Sequence, residues 1–304
     1  MLARSIIFTL GLSMAKKNCS PLRYPGGKAA LLDLLAAVIH NNGLRYHEYA
    51  EPYAGGGGLA LALLYGGYVS HIHLNDINPA IWCFWNAALE HNADFLRFIE
   101  TTPVTIKEWE KQQQIYVEED VTDPLALGFA TFFLNRTNRS GIIKGAGMIG
   151  GKSQMGDYKI DCRFNRSELA EKIRRIGKYK NMISLYRYDA IDFFSKSTDF
   201  PTSTFFFIDP PYFIKGASLY TSFYKPHDHA DVAAAVKKLP FPWLVTYDNA
   251  PEISQLYQGC QHFSFNINYS LQVKRKGQEL LITSDDIYVG SELHQYQTAS
   301  TGTD

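Results

Sequence analysis

After the Gly26-Gly27 pair, Leu31, Leu32, Leu35, Val38 and Ile39 recur at the spacing that places them on one face of a helix. A short strand is predicted near residues 46–50, running into Gly55-Gly56-Gly57-Gly58 and then an apolar helix over residues 59–65. His71-Ile72-His73-Leu74 alternates polar with apolar like a strand and stops before Asp76. Later, residues 182–186, 204–208 and 243–246 are short apolar runs separated by helical stretches such as 228–238. Strand and helix taking turns in this way predict an α/β chain built on a doubly wound sheet.

Between residues 93 and 180 the rhythm changes. A helical, acidic stretch over 108–120 gives way to a glycine-rich, lysine-bearing stretch around 141–156 without strand-helix alternation, which reads as an insertion. The expected organisation is an N-terminal extension over 1–14, a discontinuous core domain over 15–92 and 181–290, the inserted, mostly helical region over 93–180, and a tail over 291–304. The chain has 304 residues, 46% apolar and 20% charged, a composition that excludes disorder and coiled coil. Lysine plus arginine balance aspartate plus glutamate at 30 each, so any attraction to a polyanion has to be local. Positive charge is concentrated over residues 136–180, where twelve lysines and arginines face four acids. Its last part, after Ser167, reads equally well as a solvated helix face.

Four dispersed cysteines without a C-x-x-C spacing fit a reducing cytoplasm. The segment from Arg4 through Ile6–Leu12 superficially resembles a secretion signal, but it is short and lacks a small-x-small cleavage site. Polar Lys16-Lys17-Asn18 after Met14 makes an extension before the functional start the preferred reading. No other segment approaches the roughly 20 apolar residues of a spanning helix, so no membrane partner is expected.

The run Glu51-Pro52-Tyr53-Ala54-Gly55-Gly56-Gly57-Gly58 stands where the first strand turns into a helix, and glycines there let the backbone approach a ligand. Asp76 follows about 20 residues later, the spacing at which a carboxylate reaches ribose hydroxyls. Gly55, Gly57 and Ala60 also satisfy G-x-G-x-x-A, so this pair by itself does not separate nicotinamide cofactors from S-adenosylmethionine. Phe205-Phe206-Phe207-Ile208-Asp209-Pro210-Pro211-Tyr212 is an apolar strand that stops abruptly, because prolines cannot donate to a sheet. Their fixed φ angles would hold the Asp209 carboxylate and the Pro210 carbonyl as rigid acceptors at the carboxyl edge. Two such acceptors can take both hydrogens of an exocyclic amine and turn its lone pair towards an electrophile. Tyr212 is expected to offer an aromatic face for a stacked base. His71, His73, His227 and His229 do not form a convincing ligand set, and no metal is expected. A cytosine-C5 mechanism needs a nucleophilic cysteine, normally after proline, and none of the four cysteines follows one.

With these motifs in order, the chain resembles the Dam-type adenine-specific DNA methyltransferases. The resemblance spans most of the chain and adds Tyr24-Pro25-Gly26-Gly27-Lys28, Asn135-Arg136-Thr137 and Glu279-Leu280-Leu281-Ile282. It implies a Rossmann-like methyltransferase sheet with an inserted target-recognition region, a methyl donor in S-adenosylmethionine, and double-stranded DNA as partner. It also implies a bacterial or phage-encoded cytoplasmic enzyme. Asp209, Pro210, Pro211 and Tyr212 would be catalytic. Tyr24, Lys28, Glu51, Gly55, Gly57, Asp76, Asp189, Ala190 and Asp209 would bind the cofactor, with the Lys28 ammonium reaching its carboxylate. Tyr247-Asp248-Asn249-Ala250-Pro251 is similar to a later motif that helps form the base pocket. Arg136, Arg139 and Lys144 would contact DNA, and Lys274-Arg275-Lys276 is either a second backbone contact or a solvated hairpin tip. The stretch over 145–156 departs from enzymes that read GATC. Alternatives are an amino-methyltransferase acting on cytosine N4, RNA or a protein amide, a nicotinamide-dependent oxidoreductase, and a silent DNA-binding module.

Overall fold

The computed structural model describes residues 19–24, 28–214, 224–269 and 275–290. The expected extension over 1–14, the tail over 291–304, Gly26-Gly27 and Lys274 lie outside the described residues, as do the side chains of Arg275 and Lys276. The described chain divides into two compact units, the first formed by residues 28–75 and 188–290, the second by residues 19–24 and 76–187.

In the first unit, a 3-10 turn, Lys28–Leu31, leads into helix α1, Leu32–Asn41, whose predicted apolar face is buried. Strand β1, Glu48–Glu51, is followed by α2, Gly58–Tyr65, and β2, His71–Asn75. Helix α2 buries every residue from Leu59 to Leu64, as expected of a helix apolar on all sides.

The remaining strands of this unit are β4, Phe205–Ile208, β5, Trp243–Asp248, β6, Gln261–Tyr269, and β7, Arg275–Thr283. They join β1 and β2 in the order β2-β1-β4-β5-β7-β6. The first four are parallel, and the β6–β7 hairpin closes the edge in antiparallel register. All residues of β4 and β5 are buried, the mark of a parallel sheet covered on both faces. Helices α8, Ala190–Lys196, α9, Pro226–Val236, and α10, Pro251–Leu256, complete the unit. Strand order reverses about β1, so the carboxyl ends of β1 and β4 flank a topological switch point, where such sheets bind ligands.

The second unit holds α3, Pro79–Glu90, α4, Asn92–Thr101, α5, Ile106–Glu118, α6, Pro124–Thr137, α7, Arg166–Lys178, and the short strand β3, Ile183–Tyr186. Asn78, Thr105, Asp123 and Asn165 cap α3, α5, α6 and α7 by accepting first-turn backbone N–H groups. Its core is aromatic: Phe84, Phe95, Phe129, Phe132 and Phe133 are buried together, with Phe164 at their margin. Gly128 of α6 lies so close to α3 that an added Cβ would stand 2.4 Å from the Cys83 carbonyl oxygen. The loop over 138–165 between α6 and α7 is tied near its start by a bridge between Asn138 and Met148.

Candidate active site

Glu51 ends β1 and is buried. Burial pushes its carboxyl up to about 8, against the Tyr49 hydroxyl, which donates to Oε1 at 2.9 Å, and the Ala60 backbone amide; the nearby Asp209 charge adds to the rise. Burial thus favours the protonated form of Glu51. The following loop bends through Gly55 and Gly57, with φ of 47° and 55°, a left-handed conformation that glycine adopts without strain. Asn75, fully buried at the end of β2, fastens this loop. Its backbone carbonyl accepts from the Ala54 N–H at 2.8 Å, and its side-chain amide donates to the Pro52 carbonyl at 2.9 Å and the Tyr188 carbonyl at 3.0 Å. The Tyr188 N–H returns a bond to Asn75 Oδ1, which sets the chain just before Asp189. Asp189 caps α8 by accepting from the Ile191 N–H, and Ala190 is buried behind it.

Asp209 follows β4. Thr246 Oγ1 of β5 donates to its Oδ1 at 2.7 Å, and Lys28 Nζ stands 3.4 Å from the same oxygen. Oδ2 accepts from no described residue. Burial raises the Asp209 carboxyl above the ordinary carboxylate range, and Lys28 and Thr246 oppose the rise. Pro210 is buried and Pro211 half-buried. The chain then turns over Asp248, whose two carboxylate oxygens accept the backbone N–H groups of Phe213 at 2.9 Å and Ile214 at 2.7 Å.

One expectation changes here. Tyr212 is not an open stacking platform: its ring is 4% exposed, its hydroxyl donates to Glu279 Oε1 at 2.6 Å, and the Lys28 ammonium sits 4.7 Å from its ring centroid. Lys28, expected to reach a cofactor carboxylate, is buried. It donates to the Tyr212 hydroxyl and lies 3.2 Å from Glu279 Oε2. Glu279, the first residue of the Glu279-Leu280-Leu281-Ile282 motif, is fully buried on β7. The sequence does not single out Thr246 or Asn75, since a buried threonine and asparagine inside apolar strands carry no local signal. An aromatic group lies beyond Asp248: Tyr53 and Tyr224 share a hydroxyl bond of 2.9 Å, and His229 Nδ1 lies 3.0 Å from the Tyr247 hydroxyl. His73 is paired with Glu48 at 2.7 Å and stacks on Phe200.

In the second unit, Asp76 accepts from the Asn78 N–H at 2.9 Å. Arg136 is corrected as a DNA contact. It is 9% exposed, its guanidinium donates to the Pro21 carbonyl, and burial lowers it to about 10, because α6 carries it into the interior. Its neighbour Asn135 is equally internal, donating to the Arg23 carbonyl at 2.9 Å and the Gly141 carbonyl at 2.8 Å while accepting from the Arg23 N–H at 2.7 Å. That exchange fixes the backbone just before Tyr24. Arg139 and Lys144 are exposed.

A mixed sheet whose parallel part carries, at its switch point, a glycine loop after one strand and Asp-Pro-Pro-Tyr after its neighbour is that of a Rossmann-like methyltransferase. The D12 class N6 adenine-specific DNA methyltransferase family matches residues 24–271, and the chain belongs to this family. It is accordingly a transferase acting on adenine, which removes the nicotinamide oxidoreductase from consideration. Among solved structures, one from Pyrococcus horikoshii described as an RNA methyltransferase is similar, with 11% identity over 86% of each chain and a TM-score of 0.41. Curated proteins return no match. Among the described residues no helix is long and apolar enough to cross a membrane, and no three potential ligands gather as a metal site.

Proposed function

We propose that the chain transfers the methyl group of S-adenosylmethionine to N6 of an adenine swung out of duplex DNA. The observation that carries this reading is the anchoring of Asp209, among the described residues, through Oδ1 alone. Its Oδ2 and the Pro210 carbonyl are then available to take the two hydrogens of an amine, leaving the nitrogen lone pair out of conjugation with the ring. A base inside a duplex cannot enter a pocket at a sheet edge, so the target has to leave the stack. Adenine N6 is weakly basic and the departing thioether neutral, so orientation matters more than prior deprotonation. Asp209 is the acceptor that orients the amine and takes the surplus proton only after transfer.

The donor set fits the proposed cofactor. Glu51 and Glu279 are buried and Asp209 is half-buried; Lys28 lies beside Glu279 and Asp209, and the Glu51 carboxyl oxygen is an acceptor that suits a ligand bearing an α-ammonium. When bound, S-adenosylmethionine supplies an electrophilic methyl. Glu51 would hold its ammonium, the Gly55–Gly57 turn would admit it close to the backbone, and Asp189 with Ala190 would border its adenine. Tyr24 and Asp76 belong to the second unit; the cofactor role of Tyr24 is proposed from the resemblance, that of Asp76 also from its spacing after the glycine turn. Arg139 and Lys144 are proposed as DNA contacts. A DNA substrate and free cysteines suit a bacterial or phage-infected cytoplasm.

The test is Asp209→Asn, which keeps shape and removes the charge. Methyl transfer from radioactive S-adenosylmethionine to DNA is expected to fall at least about a hundredfold, with circular dichroism unchanged. Near-normal turnover would overturn the assignment.

A further inference from the structure

Glu279 has no part in the reaction as described so far, yet its two oxygens gather the residues around the Asp-Pro-Pro-Tyr corner. Antiparallel register pairs Glu279 on β7 with Asp248 on β5. Cross-strand partners project to the same face, so both carboxylates serve the same stretch of chain. Asp248 takes the backbone N–H groups of Phe213 and Ile214, and Glu279 takes the Tyr212 hydroxyl. Lys28 donates to Tyr212 and lies within reach of both carboxylates, 3.2 Å from Glu279 Oε2, 3.5 Å from Glu279 Oε1 and 3.4 Å from Asp209 Oδ1.

An ammonium with one carboxylate partner moves to straddle both of its oxygens. With two partners it is held between them. We propose that Glu279 is a positioning residue for methyl transfer: by holding Lys28 and Tyr212 from β7, it confines the ammonium to the Oδ1 edge of Asp209 and leaves Oδ2 to the substrate amine. The proposal rests on the reading of Asp209 as the amine acceptor. The charged and titratable groups facing Glu279 are Lys28 from the turn before α1, Asp209 and Tyr212 after β4, and Asp248 opposite on β5. Burial raises the Glu279 carboxyl, while Lys28 and the Tyr212 hydroxyl oppose that rise.

Glu279→Gln keeps the shape and an acceptor for Tyr212 while removing the charge that competes for Lys28. Two readouts separate positioning from simple support. In the ligand-free protein, the Asp209 carboxyl is titrated by 13C NMR, and its midpoint is expected to drop by about one pH unit, because Lys28 is then no longer shared with a second carboxylate. With S-adenosylmethionine and unmethylated genomic DNA, kcat is expected to fall about a hundredfold while KM for DNA and thermal stability stay close to wild type. An unchanged Asp209 midpoint overturns the proposal, as does a lowered midpoint with wild-type kcat. So does a loss of activity that tracks a loss of folding, which would make Glu279 a structural residue only. If the wild-type chain itself transfers no methyl group to DNA, the functional reading fails instead, and the titration still decides whether Glu279 shares Lys28 with Asp209.

Discussion

Glu51 shows how burial turns an ordinary side chain into a pH-dependent element. The unfolded chain releases this proton near the usual 4.5, and the folded chain near 8. Between these values the folded state binds a proton that the unfolded state does not, so stability is fully present below the lower value and declines as pH rises towards the higher. Urea denaturation across this window is expected to show the decline. Glu51→Gln, which cannot ionise, is expected to flatten it. An identical slope in the variant would assign the pH dependence to other groups. Asp209 differs because it has Lys28 and Thr246 beside it.

Strand register and helix crossing set these environments. The pairing of Asp248 with Glu279 delivers two carboxylates to one corner, and a slip of β7 by one residue would turn Glu279 to the opposite face. In the second unit, the close crossing of α3 and α6 depends on the missing side chain of Gly128. Gly128→Ala would drive its Cβ into the Cys83 carbonyl, backbone that cannot rotate away. The helices must then separate, and the expected loss is about 1–3 kcal/mol by chemical denaturation. Unaltered stability would mean that the aromatic core repacks freely around the crossing.

The molecule carries no net charge, so its proposed affinity for DNA depends on where cations are left exposed. Many of those on and beside α7 are committed within their own unit: Lys172 pairs with Glu168, Arg174 with Glu171, and Lys180 with Glu90. The loop before α7 presents Arg139, Lys144, Lys152, Lys159 and Arg163, all exposed. Arg139→Glu and Lys144→Glu are expected to weaken DNA binding across sequences. Each should also reduce the slope of log affinity against log salt by about one. Affinity and slope both unaltered would move the DNA-facing surface elsewhere.

Hydrophobic periodicity was sufficient for the strand-helix alternation, and residue type for the glycine turn after β1 and the proline stop after β4, because these depend on near neighbours in the chain. The strand predicted near 46–50 forms at Glu48–Glu51, a small displacement at a boundary where local pattern is weakest. Glu279, 251 positions from Lys28, became a partner of the site only when β7 took its register against β5. Likewise, nothing local distinguishes Arg136 from Arg139. Packing sent the first to the Pro21 carbonyl and left the second exposed. Tyr212 turned inward for the same reason: burial and ion pairing are properties of surfaces brought together by folding, and the pattern along one segment does not contain the surface it will meet.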